Sequence, residues 1–485
     1  MRKPIITIED LSGGASLSPV GSRNQFMRGD YVDAFSSRRM ITQMPAFQTI
    51  TLSGSSDINE NIYSMVSAVT NGETYFGATN AKIFKLASDS TISLDHTSSQ
   101  TGTVVSMKEY KGYLYFAQNS TLGRFDLSST WTDSWQSSNI QSSTYKPMEV
   151  SSDNNLYIGN GRYVAKWDGT TFSYNALDLA AGWQVRCLTN FGIGYIAIGA
   201  NFENSGTSTA CKIFLWDRLS SSWNTEIEIP ENKILAMYYK AGYLWVIAGT
   251  DPTLYVISVG SSYATKVYQF FNKDISQPAE VFPNAIAYNS GRIWFGISSL
   301  SSNSVPYTPA AVYSIDANPQ RFNINTERII STGTGGITIT SLATLNTTYA
   351  ASSAPVFYAY DLGSAEGLAI QYYTTTPYGN SYFETLEYRA PYGKKIYIDG
   401  FGADFVELLQ NQSIKIEYST DGGVTYTSPS NLDSVGTTGM YTFWKPCVIE
   451  TYKIIIKVTY GGGTTTKPVQ IKRVYATGEI IDDTR

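Results

Sequence analysis

The chain has 485 residues, of which 15% are charged and 14% are aromatic, and its formal net charge at pH 7 is −5. Soluble proteins carry about 25% charged residues, so uncharged polar side chains and tyrosine hydroxyls must cover much of this surface. Specific binding to nucleic acid is not expected, because such binding depends on clustered Lys and Arg. Membrane insertion is not expected either, since no apolar stretch approaches the roughly 18 residues that a span requires.

Residues 1–40 predict an extended N-terminal arm. They are rich in Gly, Ser, Arg and Asp and show little periodicity, as in Asp10–Gly14 and Ser36–Arg39. Such an arm packs either over its own domain or on a neighbouring subunit, and the sequence allows both. The basic start is followed by an apolar run that Thr7 and Glu9 interrupt, so no export signal is expected.

Residues 41–376 contain a two-part unit that recurs at intervals of roughly 40 to 55 residues. The first part is a turn residue followed by a strand of alternating aromatic residues. Its copies begin at Gly72, Gly112, Asn155, Gly194, Gly242, Gly291 and, more weakly, Asn346. The second part is a short strand that often ends in Asp, at Asp126, Asp168, Asp217, Asp316 and Asp361.

Four short strands per unit, joined by tight hairpins, are typical of a propeller blade. The repeat therefore predicts an all-β fold with a β-propeller of about seven blades. Gly and Asn would supply the positive φ angles of the hairpins, and the repeated Asp would cap turns by accepting hydrogen bonds from backbone amides. Two alternating stretches, Ile41–Met44 and Phe47–Leu52, could add a strand to the last blade and close the ring.

Residues 377–485 show a different β pattern and predict a C-terminal β-sandwich-like domain. Its alternating segments are Tyr382–Tyr388, Lys395–Ile398, Ile414–Tyr418, Tyr452–Val458 and Val469–Val474.

The sequence predicts no catalytic, cofactor-binding or metal-ligating residues, and hence no cofactor. The single histidine, His96, is expected on an exposed loop, and a two-histidine mechanism is excluded. Asp57–Asn61 resembles the start of a calcium loop but lacks its Gly and distal Glu, so a turn is expected. The three cysteines, Cys187, Cys211 and Cys447, are expected as buried small hydrophobic residues. Paired carboxylates for glycoside hydrolysis remain open, because only their separation in space identifies them.

Ser419–Tyr426 resembles the Asp-box hairpin, S-x-D-x-G-x-T-W, which recurs in sialidases and other β proteins. The final Trp is Tyr426 here, and the chain has one copy, in the C-terminal region. In those proteins the box is a structural turn, so the resemblance implies a turn and not an active site.

A wider resemblance is carried by Ile8–Gly14, Ser18–Pro19 and Gly29–Phe35, followed by the aromatic repeats. This opening looks like that of virion proteins of tailed bacteriophages, especially tail-associated propellers of the nozzle and tail-tip type. The resemblance implies a non-enzymatic structural subunit, made in the host cytoplasm and located in the virion. Its implied partners are other virion proteins and copies of itself around a symmetry axis.

The alternative is a glycan-binding propeller, either an adhesin for a host-surface glycan or a glycosidase-like protein. Trp131, Trp135 and Trp183 could stack on sugar rings, although packing within the blades explains them as well. A peptide-binding propeller of the WD40 kind is less favoured, because the Gly-His and Trp-Asp spacing of that family is absent.

Overall fold

The computed structural model describes most of the chain. The described residues are 3–9, 11, 26–30, 32–33, 40–44, 46–54, 58–88, 91–270, 279–298, 310–318, 323–330, 336–346, 355–362, 366–371, 380–409, 411–428, 433–435, 440–462 and 467–483. All regular elements in these ranges are β-strands.

Five strands precede the repeats. They are β1 (Pro4–Ile8), β2 (Phe26–Asp30), β3 (Val32–Asp33), β4 (Ile41–Gln43) and β5 (Phe47–Leu52).

The repeats form seven blades in the described part of the chain, numbered in chain order. Blade 1 contains β6 (Ile62–Ser67), β7 (Thr74–Ala78), β8 (Lys82–Ser88) and β9 (Thr91–Thr97), and blade 2 contains β10 (Ser106–Tyr110), β11 (Tyr113–Ala117), β12 (Leu122–Phe125) and β13 (Trp131–Gln136). Blade 3 contains β14 (Met148–Val150), β15 (Leu156–Asn160), β16 (Tyr163–Trp167) and β17 (Phe172–Asp178), and blade 4 contains β18 (Trp183–Phe191), β19 (Tyr195–Asn204), β20 (Thr207–Trp216) and β21 (Thr225–Ile229). Blade 5 contains β22 (Ile234–Lys240), β23 (Tyr243–Ala248), β24 (Thr253–Ser258) and β25 (Thr265–Gln269), and blade 6 contains β26 (Ile286–Asn289), β27 (Arg292–Ile297), β28 (Ala311–Asp316) and β29 (Ile324–Ile329). Blade 7 contains β30 (Thr338–Thr344), β31 (Val356–Asp361) and β32 (Glu366–Gln371).

The ring is closed by the N-terminal strand β5. It pairs antiparallel with β32 as the outermost strand of blade 7, and Thr51 and Leu52 also pair in parallel with β9 of blade 1. The closure expected for Phe47–Leu52 is therefore confirmed. The other expected stretch does not take part, because β4 pairs with a strand of the C-terminal domain.

The apolar cores lie between blades, as stacking requires. One cluster joins Phe76 of blade 1 to Phe357 of blade 7, and another joins Tyr157 of blade 3 to Trp216 of blade 4. Each blade thus buries its faces against its neighbours.

Two-residue hairpins connect inner strands to second strands. In the hairpin Lys111-Gly112, φ is 48° and 76°, and in Ala241-Gly242 it is 53° and 85°. Positive φ at both central positions is the geometry that matches the twist of paired strands. The expected role of glycine in these turns is confirmed.

Blade 7 departs from the sequence pattern. Ala359–Asp361, expected in the third strand, lies in the second strand β31. Of the weak seventh copy, Thr347–Ala350 lie outside the described residues.

The C-terminal domain is a sandwich of two sheets. Its strands are β33 (Ser381–Thr385), β34 (Tyr388–Arg389), β35 (Lys394–Phe405), β36 (Ser413–Ser419), β37 (Asp433–Val435), β38 (Thr442–Thr451), β39 (Lys453–Gly461) and β40 (Gln470–Asp482). All five segments expected from the sequence contribute strands, and β38 was not predicted. The sheets run β3-β4-β40-β35-β38 and β2-β33-β39-β36-β37, and they enclose a shared apolar core.

The described parts of the N-terminal arm lie in these two sheets. Strand β1 pairs with β40, β2 pairs with β33, and β3 reaches β40 through β4. The arm also contacts the propeller, since Asp30 forms a 2.6 Å salt bridge with Arg328 and accepts a 3.0 Å hydrogen bond from the amide of Ile329. The residues Asp10, Ser12–Pro19 and Tyr31, which carry part of the phage-like resemblance, lie outside the described ranges.

Candidate functional site: two chambers on the propeller axis

The axis of the propeller is lined by the first strand of every blade. These strands are β6, β10, β14, β18, β22, β26 and β30, and they run in the same direction along the channel. Ligand sites in ring-shaped folds favour such a concave centre, so the channel is the candidate site.

A short segment preceding β26 crosses the channel. The side-chain amide of Asn284 donates hydrogen bonds to the carbonyl oxygens of Tyr63, at 2.7 Å, and Val105, at 2.8 Å. Its own carbonyl accepts a 2.9 Å bond from the amide of Leu342. Phe282 meets the ring of Tyr63 edge-on, with centroids 5.9 Å apart. We call residues 281–284 the axial plug.

Cavities lie on both sides of the plug. The N-end chamber, of about 360 Å³, lies where the inner strands begin and is lined by Tyr63, Val105, Ser142–Lys146, Arg186 and Phe282 among others. The C-end chamber, of about 780 Å³, lies along residues of all seven inner strands. Pro283 and Asn284 line both chambers, so the plug is their common wall.

The N-end chamber contains two buried cationic side chains. Lys146 is 1% exposed and donates one hydrogen bond, to the carbonyl oxygen of Gln141. Arg186 is 8% exposed, lies 3.7 Å from the centroid of the Tyr145 ring, and contacts Glu280 at 3.4 Å. Among the described residues no carboxylate lies within salt-bridge distance of Lys146.

Burial controls the ionisation of the lysines at this end. It lowers the pKa of Lys146 from 10.5 to about 8, because an ammonium group loses its hydration when buried. Burial also lowers the pKa of Lys233, which Arg186 lowers further and Glu280 partly restores. The N-end chamber therefore has an excess of positive charge that the described residues do not balance.

The loop that carries Lys146 is fixed at several points. The amide of Gln141 donates a 2.7 Å hydrogen bond to the side chain of Asn160, and the amide of Ser143 donates a 3.1 Å bond to the carbonyl of Asn119. Pro147 then leads directly into β14. Lys146 is held in place by its neighbours in the blades.

In the C-end chamber both carboxylates have partners, because Glu109 accepts hydrogen bonds from the amides of Val69 and Thr70 and Glu149 binds a lysine. The Glu149 carboxylate accepts a 2.9 Å hydrogen bond from the Lys108 ammonium and a 2.6 Å hydrogen bond from the side-chain amide of Asn190. Lys240 lies 4.3 Å from the centroid of the Tyr288 ring, a cation–π distance. Burial, and then the charge of Glu149, raise the pKa of Tyr238 in the same wall.

His96 was predicted on an exposed loop, and this was wrong. It lies on β9 and is half-buried, with Nε2 2.6 Å from Oδ1 of Asp133 in blade 2. Its ring stacks on Trp131 with centroids 4.2 Å apart. Burial raises the pKa of Asp133, but hydrogen bonds from Ser99 and His96 outweigh it, so the net shift is downward. The histidine links two outer strands and lies outside both chambers.

Four of the repeated Asp residues, Asp126, Asp168, Asp217 and Asp316, accept hydrogen bonds from backbone amides in turns, as expected. Asp361 instead accepts a 3.0 Å hydrogen bond from the side chain of Asn61. Asp126 accepts hydrogen bonds of 2.8 to 2.9 Å from three consecutive amides beginning at Ser128. Asp168 does the same with the amides of Thr170 and Thr171, which lowers its pKa to about 2. Asp217 accepts from the amides of Leu219 and Ser220.

The Asp-box segment also forms a turn. Asp421 accepts 3.0 Å hydrogen bonds from the amides of Val424 and Thr425. Hydrogen bonds from the hydroxyls of Ser419 and Thr425, and then those from the amides, lower its pKa. Part of the calcium-like segment can be placed as well: Glu60 is bound by Lys82 at 2.6 Å, whereas Asp57 lies outside the described residues.

The three tryptophans considered for sugar stacking pack against aromatic residues of the propeller. Trp131 stacks on Phe125 at 4.1 Å, Trp135 meets Trp167 edge-on at 5.0 Å, and Trp183 meets Phe214 at 5.1 Å. Cys187 and Cys211 are buried, as expected, whereas Cys447 is half-buried. All three thiols are free, and burial raises each thiol pKa.

The described ranges contain neither a metal-binding cluster nor a membrane-spanning helix. These ranges hold no group of three or more His, Cys, Asp and Glu side chains placed to bind a metal ion. They also hold no apolar helix of membrane-spanning length.

Sequence reasoning did not single out Lys146, Arg186 or Asn284. A usable signal existed for Lys146 and Asn284, because each lies one or two residues before an inner strand of a repeat. In a propeller, that position faces the axis.

No protein-family model matches the chain, and no curated protein matches it. Similar solved structures include a catalytically inactive virginiamycin B lyase from Staphylococcus aureus with quinupristin, at 12% identity, covering 67% of this chain and 99% of that one, with a TM-score of 0.47. Another is the extracellular domain of a hybrid two-component system from B. thetaiotaomicron, at 10% identity, 76% and 43% coverage and a TM-score of 0.45. The WD40 repeats of RRP9 match at 11% identity, 67% and 99% coverage and a TM-score of 0.43. These similarities concern the fold alone, and the chain is a seven-bladed β-propeller protein.

Proposed function

We propose that this protein is a non-enzymatic structural subunit of a tailed-phage virion, and that it joins its neighbours through the edge of the C-terminal sandwich. The observation that carries the proposal is an exposed tryptophan fixed on the edge strand β38. The resemblance of the N-terminal sequence to tailed-phage virion proteins supports the proposal that the neighbours are virion proteins.

Trp444 is held flat on the outer face of its sheet. Its side chain is 47% exposed, yet its Nε1 donates a 3.0 Å hydrogen bond to Oγ1 of Thr477. The backbone beneath it is Gly400, where an added Cβ would lie 2.4 Å from the indole ring. A large ring that is already ordered loses little entropy when a partner covers it.

The same strand offers further contacts. Val448, farther along β38, is 77% exposed, and Tyr441, just before the strand, is 55% exposed. Among the described strands β38 pairs only with β35, so its other edge is open to hydrogen bonding. Open edges with apolar side chains readily accept another strand, and a second copy could pair there through the same surface.

The two domains are suited to act as one block. The N-terminal chain runs through both sandwich sheets before β5 closes the ring, and Asp30 pairs with Arg328 of blade 6. A contact made by the sandwich would therefore orient the propeller. Removing residues 1–40 is a poor test of assembly, because it deletes three strands of the sandwich.

Point variants on the edge strand give a cleaner test. We expect Trp444→Ser combined with Val448→Thr to lower the mass in light scattering from that of an oligomer to that of one chain. Ile193→Ser is the matched control, because Ile193 is 96% exposed on the propeller. The proposal also expects the tagged wild-type chain to sediment with phage particles.

A wild-type chain that stays monomeric and does not sediment with particles would contradict the proposal. So would an oligomer of unchanged mass in the double variant.

A further inference from the structure

We propose that the C-end chamber binds a short neutral saccharide, whose hydroxyl groups are held by Glu149, Lys108 and Tyr238. This inference concerns the propeller axis and is independent of the assembly role of the sandwich.

The first argument is that these polar side chains meet at one place on the chamber wall. All three residues line the chamber. The Glu149 carboxylate accepts hydrogen bonds from the Lys108 ammonium at 2.9 Å and from the Asn190 side chain at 2.6 Å. Its charge also acts on the phenol of Tyr238, whose pKa is raised first by burial and then by Glu149. Four consecutive blades, 2 to 5, thus contribute to one polar cluster.

The second argument is that both donors and acceptors remain in this cluster. Each carboxylate oxygen of Glu149 accepts one hydrogen bond in the described contacts and has a lone pair for another. Lys108 uses one of its three N–H donors there, and the described residues provide no hydrogen-bond partner for the Tyr238 hydroxyl. A sugar hydroxyl both donates and accepts hydrogen bonds, so it can use both kinds of group.

The third argument is that the cluster is accessible from the chamber. The side chain of Lys108 is 36% exposed and that of Glu149 is 18% exposed, and Tyr238 is half-buried. A ligand in the chamber can therefore contact these side chains directly.

The fourth argument is the balance of charge, which favours a neutral ligand. The charged side chains that line the chamber are Lys108, Glu109 and Glu149, and Lys240 lies against the ring of Tyr288 in the same wall. Two positive charges thus stand beside two negative charges. Complementary charge selects charged ligands, and a balanced site offers no such selection.

The fifth argument is space and shape. The volume of about 780 Å³ lies within the range of small-molecule sites. Half-buried Tyr239 and Tyr288 add apolar ring surface to the wall, which suits the C–H groups of a sugar. Because the axial plug closes the inner end, the site suits a free sugar or the end of a glycan chain and not an internal segment of a chain.

The test is isothermal titration calorimetry of the full chain with a panel of neutral disaccharides, namely maltose, lactose, mannobiose and N,N′-diacetylchitobiose. We expect saturable binding of at least one of them. The charged probes N-acetylneuraminic acid and glucosamine should bind at least about tenfold more weakly. Binding of a free sugar, but not of the same sugar coupled to a bead through its reducing end, would identify a free sugar as the ligand. Binding of both forms would identify the end of a glycan chain.

Two conservative variants test the cluster. Glu149→Gln keeps the shape of the side chain and removes its charge, and we expect it to weaken binding by at least about tenfold. Tyr238→Phe removes only the hydroxyl and should weaken binding by about fivefold. The matched controls are Glu226→Gln, in an ion pair with Lys212 on the outer strand of blade 4, and Tyr263→Phe, at an exposed tyrosine of blade 5. Both controls should bind as the wild type does.

A measurement on the wild-type chain covers the case in which Glu149→Gln does not fold. In a chain with ¹³C-labelled tyrosine rings, the NMR signal of Tyr238, identified by its absence from Tyr238→Phe, should shift as the preferred sugar is added. The proposal is overturned if no neutral sugar of the panel binds saturably, if folded Glu149→Gln binds as tightly as the wild type, or if the Tyr238 signal is unchanged at saturation.

Discussion

The two chambers of the channel share the axial plug as a wall, yet the charged side chains around them are paired differently. In the C-end chamber the carboxylate of Glu149 is matched by Lys108 and Asn190. In the N-end chamber Lys146 is buried without a described counter-ion, and Arg186 shares Glu280 at 3.4 Å. Paired charges account for a stable polar lining. Unpaired buried charges reduce stability.

The largest effect should come from removing the unpaired charge. Lowering the pKa of Lys146 from 10.5 to about 8 corresponds to a penalty of up to about 3 kcal/mol for its charged form. We therefore expect Lys146→Met to raise the free energy of unfolding at pH 7. Urea unfolding with and without the substitution measures this gain.

The sign of the pH effect follows from linkage. Between about pH 8 and pH 10.5 the unfolded wild-type chain binds the Lys146 proton more tightly than the folded chain does. Wild-type stability should therefore rise with pH across this window, and the advantage of Lys146→Met should shrink. A variant that is less stable than the wild type at pH 7 would show that Lys146 has a counter-charge in the folded chain.

The next effect tests the wall between the chambers. Asn284→Ala removes two hydrogen bonds and leaves the carbonyl oxygens of Tyr63 and Val105 without that partner. We expect a loss of about 2 kcal/mol in the free energy of unfolding. Asn346→Ala is the matched control, because Asn346 accepts hydrogen bonds from Ser67 and Thr74 through its backbone carbonyl. Equal losses in both variants would contradict the role given to the plug.

Most of the fold was predictable because its signals are local. Aromatic alternation and turn residues such as Gly112 and Gly242 lie within single hairpins, and the capping Asp residues bond to amides two to four residues away. Each repeat carries these signals independently, so the blade number and the turn roles could be inferred. The closing strand was also predictable, since a ring needs one more strand from its start.

The features that were missed depend on residues far apart in the chain. Asn284 lies 221 and 179 residues from its two acceptors, and His96 lies 37 residues from Asp133. Strand β1 pairs Pro4 with Thr477. The composition of a local segment does not show which distant residues will contact it. Lys146 was missed for a related reason, because its burial depends on residues from other parts of the chain that pack around it.

The smallest effect should come from unpairing the C-end chamber. Glu149→Gln retains the shape of the side chain and an acceptor for Asn190 but removes the charge opposite Lys108. The side chain of Lys108 is 36% exposed, so water can take the place of the carboxylate, and we expect a loss within about 1 kcal/mol in urea unfolding. A small loss of stability in Glu149→Gln and a gain of stability in Lys146→Met would show that the C-end chamber tolerates the loss of a charge, whereas the N-end chamber becomes more stable without one. If Glu149→Gln lowers the free energy of unfolding as much as Asn284→Ala does, the ion pair between Glu149 and Lys108 contributes to the stability of the fold.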